Sequence, residues 1–329
     1  PVEAFNNMLM QIPKSTMPES AQRITTITLF DELPTAASLS YLWRVENHAH
    51  RLLKNETLHR NFQRDGFIVL KNVLPLENVE QLCSIYHGNF VTPQGMYVTH
   101  HSETDATRNK NYSQRIFTLL EPFLNKQFTA YRELISHFAV KGAGVEGLFN
   151  LHQDWSIVRE ELFGVIHCWV PLQKVSKQNG TLAVLPGSHL CFHNYRSGTC
   201  PIRFLSISAF GNKVTHINAD VGDVVLYHPA LFHGSGENHS HTDRLAVVAA
   251  IANNTARTVY HNRVNNEVLL YELTEQDLYA RLDDLAKGAA PLGQVIEPVQ
   301  PRILDGTDEQ IIKRLLEFCK MKTTLHAEV

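Results

Sequence analysis

The feature that most restricts the fold is a succession of short apolar runs between His137 and Ala252, each closed by a turn signal. The runs read "HFAVKG", "GLFNLHQDWSIV", "GVIHCWVPLQKV", "GTLAVLPGSH", "KVTHINAD", "DVVLYHPALFHGS" and "RLAVVAAIA", with Asn179-Gly180 and Gly187-Ser188 among the dipeptides between them. Runs this short, rich in branched and aromatic residues and punctuated by glycine turns, read as strands; several in succession predict a sandwich or barrel. Helical patterns frame the series. Over 36–61 apolar residues recur at helical spacing (Leu39, Leu42, Trp43, Val45, Leu52, Leu53). Gly66 then precedes a strand, "FIVLKNVL", and "PLENVEQLCSIYHGNF" reads as a helix with Pro75 in its first turn and its close near Gly88. Residues 115–136 look helical, and 265–329 return to helix, with caps at Thr274 and Asp277 and at Thr307 or Asp308. The expected organisation is a single domain over 1–329: an arm and helix over 1–61, a core over 62–262 whose β part starts at about 138, and a helical extension over 263–329.

Inside the second run stand His152 and Asp154. Alternate side chains of a strand share a face, so the imidazole and the carboxylate stand side by side with Gln153 turned away. That is two thirds of a metal site, or a buried polar pair. A third ligand has to come from a distant strand. The strand Val224–Tyr227 runs on to His228 and His233, and after a polar turn Arg244 opens the next apolar run. Two antiparallel neighbours thus bring a histidine and an arginine into one neighbourhood. Among the 18 histidines, His167, His189, His193 and His216 read as structural or surface residues. Asp243 reads as a surface charge pointing away from the side taken by Arg244. The polar stretch 91–114 is too long for a mere connector, and 96–105 within it reads either as a solvated loop or as a lid over a site.

Composition narrows the function. A formal net charge of −3, with 19% charged and 43% hydrophobic residues, gives no electrostatic case for a nucleic-acid partner. No apolar stretch approaches the roughly 20 residues of a membrane span, and the first residues lack a secretory pattern. Five cysteines without zinc-type spacing, an odd count, argue against a full disulfide framework and point to a reducing, cytoplasmic setting.

Five stretches together resemble a known family. They are "FQRDGFIVLKNVL" at 62–74, "HQDW" at 152–155, "NGTLAVLPGSH" at 179–189, "GDVVLYHPALFHGSGEN" at 222–238 and "DRLAVV" at 243–248. In this order over about 62–250 the chain resembles the phytanoyl-CoA dioxygenase family of Fe(II)/2-oxoglutarate-dependent oxygenases. The resemblance implies a mainly β core with flanking α-helices, a double-stranded β-helix of the jelly-roll, cupin-like kind. It implies His152, Asp154 and His233 as metal ligands and catalytic centre; His228, which follows the same strand, is the alternative that the family pattern disfavours. It implies Arg244 as partner of the C5 carboxylate of 2-oxoglutarate, Ser235 as its assistant and Trp169 beside the cosubstrate. Two imidazoles and one carboxylate leave open positions on Fe(II) for 2-oxoglutarate and O₂. The planar fork of arginine suits a carboxylate. The implied reaction is hydroxylation of a small organic molecule, secondary-metabolite or amino-acid-like, with release of succinate and CO₂. Halogenating relatives lack the carboxylate ligand, so Asp154 favours hydroxylation. Desaturation, ring formation, epimerisation and acyl-CoA hydroxylation stay open, although no basic cluster awaits a CoA phosphate. A cupin-type isomerase without 2-oxoglutarate, against which Arg244 speaks, and a non-catalytic binding protein are the rival readings.

Overall fold

In the computed structural model, residues 50–90, 96–99, 105–144 and 148–327 are described. The chain enters through α1 (Glu56–Asp65), β1 (Phe67–Leu70), α2 (Leu76–His87), β2 (Met96–Val98) and α3 (Ala106–Gln127). Eight strands follow: β3 (Tyr131–Lys141), β4 (Phe149–His152), β5 (Val165–Pro171), β6 (Leu182–Val184), β7 (Thr215–His216), β8 (Val224–Tyr227), β9 (His233–Ser235) and β10 (Arg244–Asn253). The C-terminal part holds β11 (Val259–Val264), β12 (Glu267–Glu272), α4 (Glu275–Ala280), α5 (Leu282–Ala286), β13 (Val295–Val299) and α6 (Asp308–Ala327).

The strands form a six-stranded sheet, β1-β8-β5-β10-β3-β2, a four-stranded sheet, β4-β9-β6-β7, and a three-stranded sheet, β11-β12-β13. From β3 to β10 the chain passes back and forth between the first two sheets, and the pairings are antiparallel. This is the jelly-roll order anticipated from the sequence.

Period-two alternation explains which side chains reach the interior. On β5, Ile166, Cys168 and Val170 join the core under α1, α2 and α3, as do Val224 and Leu226 of β8 and Leu245, Val247 and Ala249 of β10. The alternate residues Trp169, Val225, Tyr227, Ala246 and Val248 pack with Leu182 and Val184 of the smaller sheet. Both faces of β5, β8 and β10 are therefore buried, which is why their sequences are near-continuous apolar runs. A polar residue at an inward position on such a strand is held in the interior by the fold itself.

Several local expectations differ from the structure. Of the helix expected over 36–61, residues 36–49 lie outside the described residues; from residue 50 on, the helix begins at Glu56, where the Asn55 side chain accepts the Leu58 N–H, and Leu53 before it bridges to Phe128. The stretch 91–114 is not one polar loop. Met96–Val98 is a strand, and Asp105 caps a helix that runs from Ala106. That helix begins on exposed polar residues, so its first turns lack an apolar stripe. The lid reading of 96–105 falls largely outside the described residues. The helix expected over 115–136 stops at Gln127, and β3 starts at Tyr131 after a left-handed turn at Ala130. The C-terminal stretch, expected to be helical, also holds β12 and β13. Their hairpin with β11 turns at Asn265-Asn266, and Asn265 adopts φ 58°, a conformation asparagine tolerates well. Thr274 and Asp277 form the expected capping box, and Thr307 rather than Asp308 caps the last helix, exchanging hydrogen bonds with Gln310.

Candidate metal centre

The smaller sheet brings two histidines together. His152 ends β4, His233 begins β9, and the two are direct Cα partners in the antiparallel ladder. The ladder slips between Phe149 and His152, where β4 and β9 approach closely. Gly234 makes this possible: a Cβ there would stand 2.3 Å from the Phe149 carbonyl oxygen. The ring centroids of His152 and His233 lie 4.5 Å apart. Asp154 follows just beyond β4, held by its own N–H donating to the Pro229 carbonyl, while Gln153 turns away and donates to Ala230 O.

Three donor atoms converge. The Nε2 atoms of His152 and His233 each lie 3.5 Å from Asp154 Oδ1, and one atom from each residue falls within a set spanning at most 4.8 Å. Both rings are oriented by the backbone: His152 Nδ1 donates to Asn150 O at 3.0 Å, and His233 Nδ1 donates to Leu231 O at 2.8 Å. Each Nε2 is thereby left as the lone-pair nitrogen facing the centre. Burial pushes His152 below its ordinary pKa. Burial also works against a charge on His233, but the Asp154 carboxylate overcomes it and moves that ring up. For Asp154, burial opposes ionisation, while the neighbouring imidazoles of His233, His152 and His167 hold the carboxyl well below the usual range. Two imidazoles and one ionised carboxylate at this spacing can hold a divalent transition metal on one face. His228 is not in the cluster. Its Nδ1 accepts the Ala230 N–H and its ring lies beside Phe62 and His189.

The outer oxygen of Asp154 has partners that sequence reasoning missed. Asp154 Oδ2 accepts from His167 Nδ1 at 2.9 Å and from the Tyr227 hydroxyl at 3.0 Å. His167 and Tyr227 are paired residues on β5 and β8, both at inward positions. Burial and the Asp154 charge keep the Tyr227 proton in place, so the hydroxyl is a donor. His167 had been read as structural or surface. The signal was its spacing: it lies two residues before Trp169 on the same inward face.

A cavity of about 500 Å³ opens over the cluster. At one end stand Arg244, Ser235 and Trp169. Arg244 is 2% exposed; its Nη1 donates to Ala139 O at 3.2 Å, its guanidinium lies 5.6 Å over the Trp169 ring, and its Nε has no partner. The Ser235 hydroxyl is buried without a partner as well. Burial brings the Arg244 pKa down to about 10, and burial together with Arg244 brings Lys141, its Cα partner on β3, down to about 7. Among the described residues no carboxylate pairs with Arg244. Asp243 points elsewhere and accepts the Ala143 N–H. Around Ala250, six residues along β10 from Arg244, the lining is apolar, formed by Ile135, Ile157, Leu278 and Leu282.

Comparison with known proteins agrees with the sequence resemblance. The chain is 35% identical over 218 residues to the peroxisomal phytanoyl-CoA dioxygenase of Bos taurus, covering 56% of this chain and 65% of that one. It is 25% identical to the Homo sapiens enzyme of the same name over 218 residues, 56% of this chain and 64% of that one. The alignments thus span just under two thirds of these relatives. Among solved structures, the epimerase SnoN in complex with Fe3+, alpha ketoglutarate and nogalamycin RO superposes with a TM-score of 0.46 at 19% identity, over 83% of this chain and 98% of that one. HygX from Streptomyces hygroscopicus, with nickel, 2-oxoglutarate and hygromycin B bound, gives a TM-score of 0.45 at 18% identity over 73% of this chain and 98% of that one. The sequence model of the phytanoyl-CoA dioxygenase (PhyH) family matches residues 62–246, more than half of the chain, which therefore belongs to that family.

Proposed function

We propose that this protein is an Fe(II)/2-oxoglutarate-dependent oxygenase that hydroxylates a small organic molecule. His152, Asp154 and His233 hold the metal, and Arg244 and Ser235 receive the distal carboxylate of 2-oxoglutarate beside Trp169. The observation that carries the reading is Arg244, a buried cation with no carboxylate partner among the described residues and an unpartnered Nε, next to an unpartnered Ser235 hydroxyl. Buried polar atoms are ordinarily paired, and a buried charge is costly without a counter-charge. These donors suit an anionic ligand at that end of the cavity. A cupin-type isomerase has no use for such a site, and a protein that merely binds a small molecule has no use for a three-ligand centre open on one side.

When bound, the iron supplies the redox chemistry that side chains lack, and oxidative decarboxylation of 2-oxoglutarate yields succinate and CO₂. The chain does the rest. His152 and His233 present lone pairs whose direction is fixed by Asn150 O and Leu231 O. His167 and Tyr227 turn Asp154 so that Oδ1 faces the metal side. The apolar end of the cavity receives the substrate and keeps water away from the reacting atoms. That lining favours a secondary-metabolite-like molecule over a strongly charged one. Asp154 occupies the ligand position that a halide would need, so hydroxylation is favoured over halogenation. Five unpaired cysteines fit a reducing compartment, and the reading places the protein in the cytoplasm. The test is succinate formation by the Fe(II) protein with 2-oxoglutarate and O₂ across a panel of small apolar molecules. Formation that rises with a particular compound and vanishes in His233→Ala supports the reading. No 2-oxoglutarate binding by the Fe(II) protein overturns it.

A further inference from the structure

We infer that His167 Nε2 is a hydrogen-bond acceptor for the substrate, so that the molecule oxidised carries a hydroxyl or N–H group beside the metal-binding carboxylate. This rests on the functional reading above and adds the substrate's chemistry to it.

The tautomer follows from the neighbours. His167 Nδ1 stands 2.9 Å from Asp154 Oδ2, and an ionised carboxylate can only accept. The ring hydrogen is therefore on Nδ1. In the neutral ring Nε2 then carries a lone pair. That atom is buried and has no partner, and His167 lines the cavity. A role limited to steadying Asp154 needs only one ring nitrogen and leaves Nε2 without a purpose. Buried polar atoms left unpaired are uncommon and costly, and one in a cavity wall calls for a ligand or an ordered water.

The position on the sheet sets the backbone of His167 apart from that of Arg244. On β10, Arg244 is the first residue, while His167 pairs with Ala250. Six residues of extended strand separate these two positions, about 20 Å. His167 thus faces the half of the cavity where Ile135, Ile157, Leu278 and Leu282 form the wall. A substrate seated there has an apolar body and one donor group aimed at Nε2. The contact also touches Asp154 through the same ring, so a correctly placed donor presses the Nδ1–H toward the carboxylate that holds the metal.

The experiment uses the full chain loaded with Ni(II) and 2-oxoglutarate, so that nothing turns over, and two matched probe pairs: cyclohexanol with cyclohexanone, and 1-indanol with 1-indanone. Each pair shares a shape, but only the alcohol can donate. Dissociation constants come from ligand-observed NMR titration. The wild type should bind each alcohol about twofold to tenfold tighter than its ketone, the size of one neutral hydrogen bond. His167→Asn keeps an N–H near the Nδ1 position for Asp154 and places nothing at Nε2. It should retain Ni(II) and lose the preference. His167→Gln restores an oxygen near the Nε2 position, so the preference should return while Ni(II) binding weakens. Equal binding of the pairs by the wild type, tighter binding of the ketones, binding of no probe, or a preference that survives in His167→Asn overturns the inference. The wild-type ratio decides it even if a variant does not fold. A wild type that fails to bind Ni(II) or 2-oxoglutarate sinks the functional reading instead, so the two failures are told apart.

Discussion

Replacing Arg244 with alanine separates the cosubstrate site from the metal site. The guanidinium is fully enclosed, donates to Ala139 O, lies over Trp169 and has an unused Nε. Before a ligand arrives, its removal costs the protein one hydrogen bond from a charged donor to a backbone carbonyl and some packing, and it relieves the repulsion that helps hold Lys141 down to about 7. With the ligand bound, the loss is larger. A hydrogen bond to a charged group contributes about 1.5–3 kcal/mol, so losing one weakens 2-oxoglutarate binding about tenfold to a hundredfold. Arg244→Lys keeps the charge without the fork and should fall between the wild type and Arg244→Ala. The same numbers appear in stability. At 2-oxoglutarate a hundredfold above its wild-type Kd, the ligand stabilises the folded protein by about 2.7 kcal/mol, whereas a variant binding a hundredfold more weakly gains only about 0.4 kcal/mol. The assay is anaerobic titration of the Fe(II) protein with 2-oxoglutarate, following the metal-to-ligand charge-transfer band, with thermal unfolding in parallel. Iron binding should survive in both variants, since Arg244 is not in the three-residue cluster. Unchanged 2-oxoglutarate affinity in Arg244→Ala would refute the reasoning and revive a metal enzyme without this cosubstrate.

Three further outcomes are expected. His152→Ala, Asp154→Ala and His233→Ala should each lose stoichiometric Fe(II), measured by metal analysis with circular dichroism as the fold control, while His228→Ala, outside the cluster, should keep it. Tyr227→Phe removes one of the two outer donors to Asp154 Oδ2 and should weaken metal binding by about tenfold, read by competition with a chelator; no change would mean that His167 alone orients the carboxylate. His261, 1% exposed, is brought down to about 3, mainly by burial and then by the positive charge of Arg196, so it stays neutral in the folded protein while the unfolded chain protonates it near 6.5. Its contribution is then complete above about pH 6.5 and is lost as pH falls toward 3, about 2 kcal/mol between pH 7 and pH 5. Urea unfolding at those two values should show the drop in the wild type and a smaller one in His261→Phe.

Much of the scaffold was legible because strands in a jelly-roll are short and turn-bounded, and the runs from "HFAVKG" to "RLAVVAAIA" map onto β3 to β10. The helix boundaries were not. Periodicity cannot show that Leu53 bridges Phe128 instead of lying in a helix, or that Tyr131–Ser136 forms a strand, because those choices are made by partners distant in sequence. The hairpin at Asn265-Asn266 was hidden for a different reason. Its flanks, Val264 and Glu267, are exposed residues without a strong alternation.

The site divides along the same line. The shared face of His152 and Asp154 was readable from spacing, since an HxD step on a strand places both side chains on one side; the choice of His233 over His228, and of Arg244 and Ser235 beside it, came from the family resemblance. The support for Asp154 obeys the same alternation. On β5 an inward Trp169 makes His167 inward, and on β8 an inward Val225 makes Tyr227 inward. The missing piece was register. Only the pairing of His167 with Tyr227, and of His152 with His233, brings two sheets' worth of inward polar residues to one carboxylate. Parity fixes which side chains face the interior, and register fixes which of them meet. The chemistry at Asp154 depends on both, and one sequence specifies only the first.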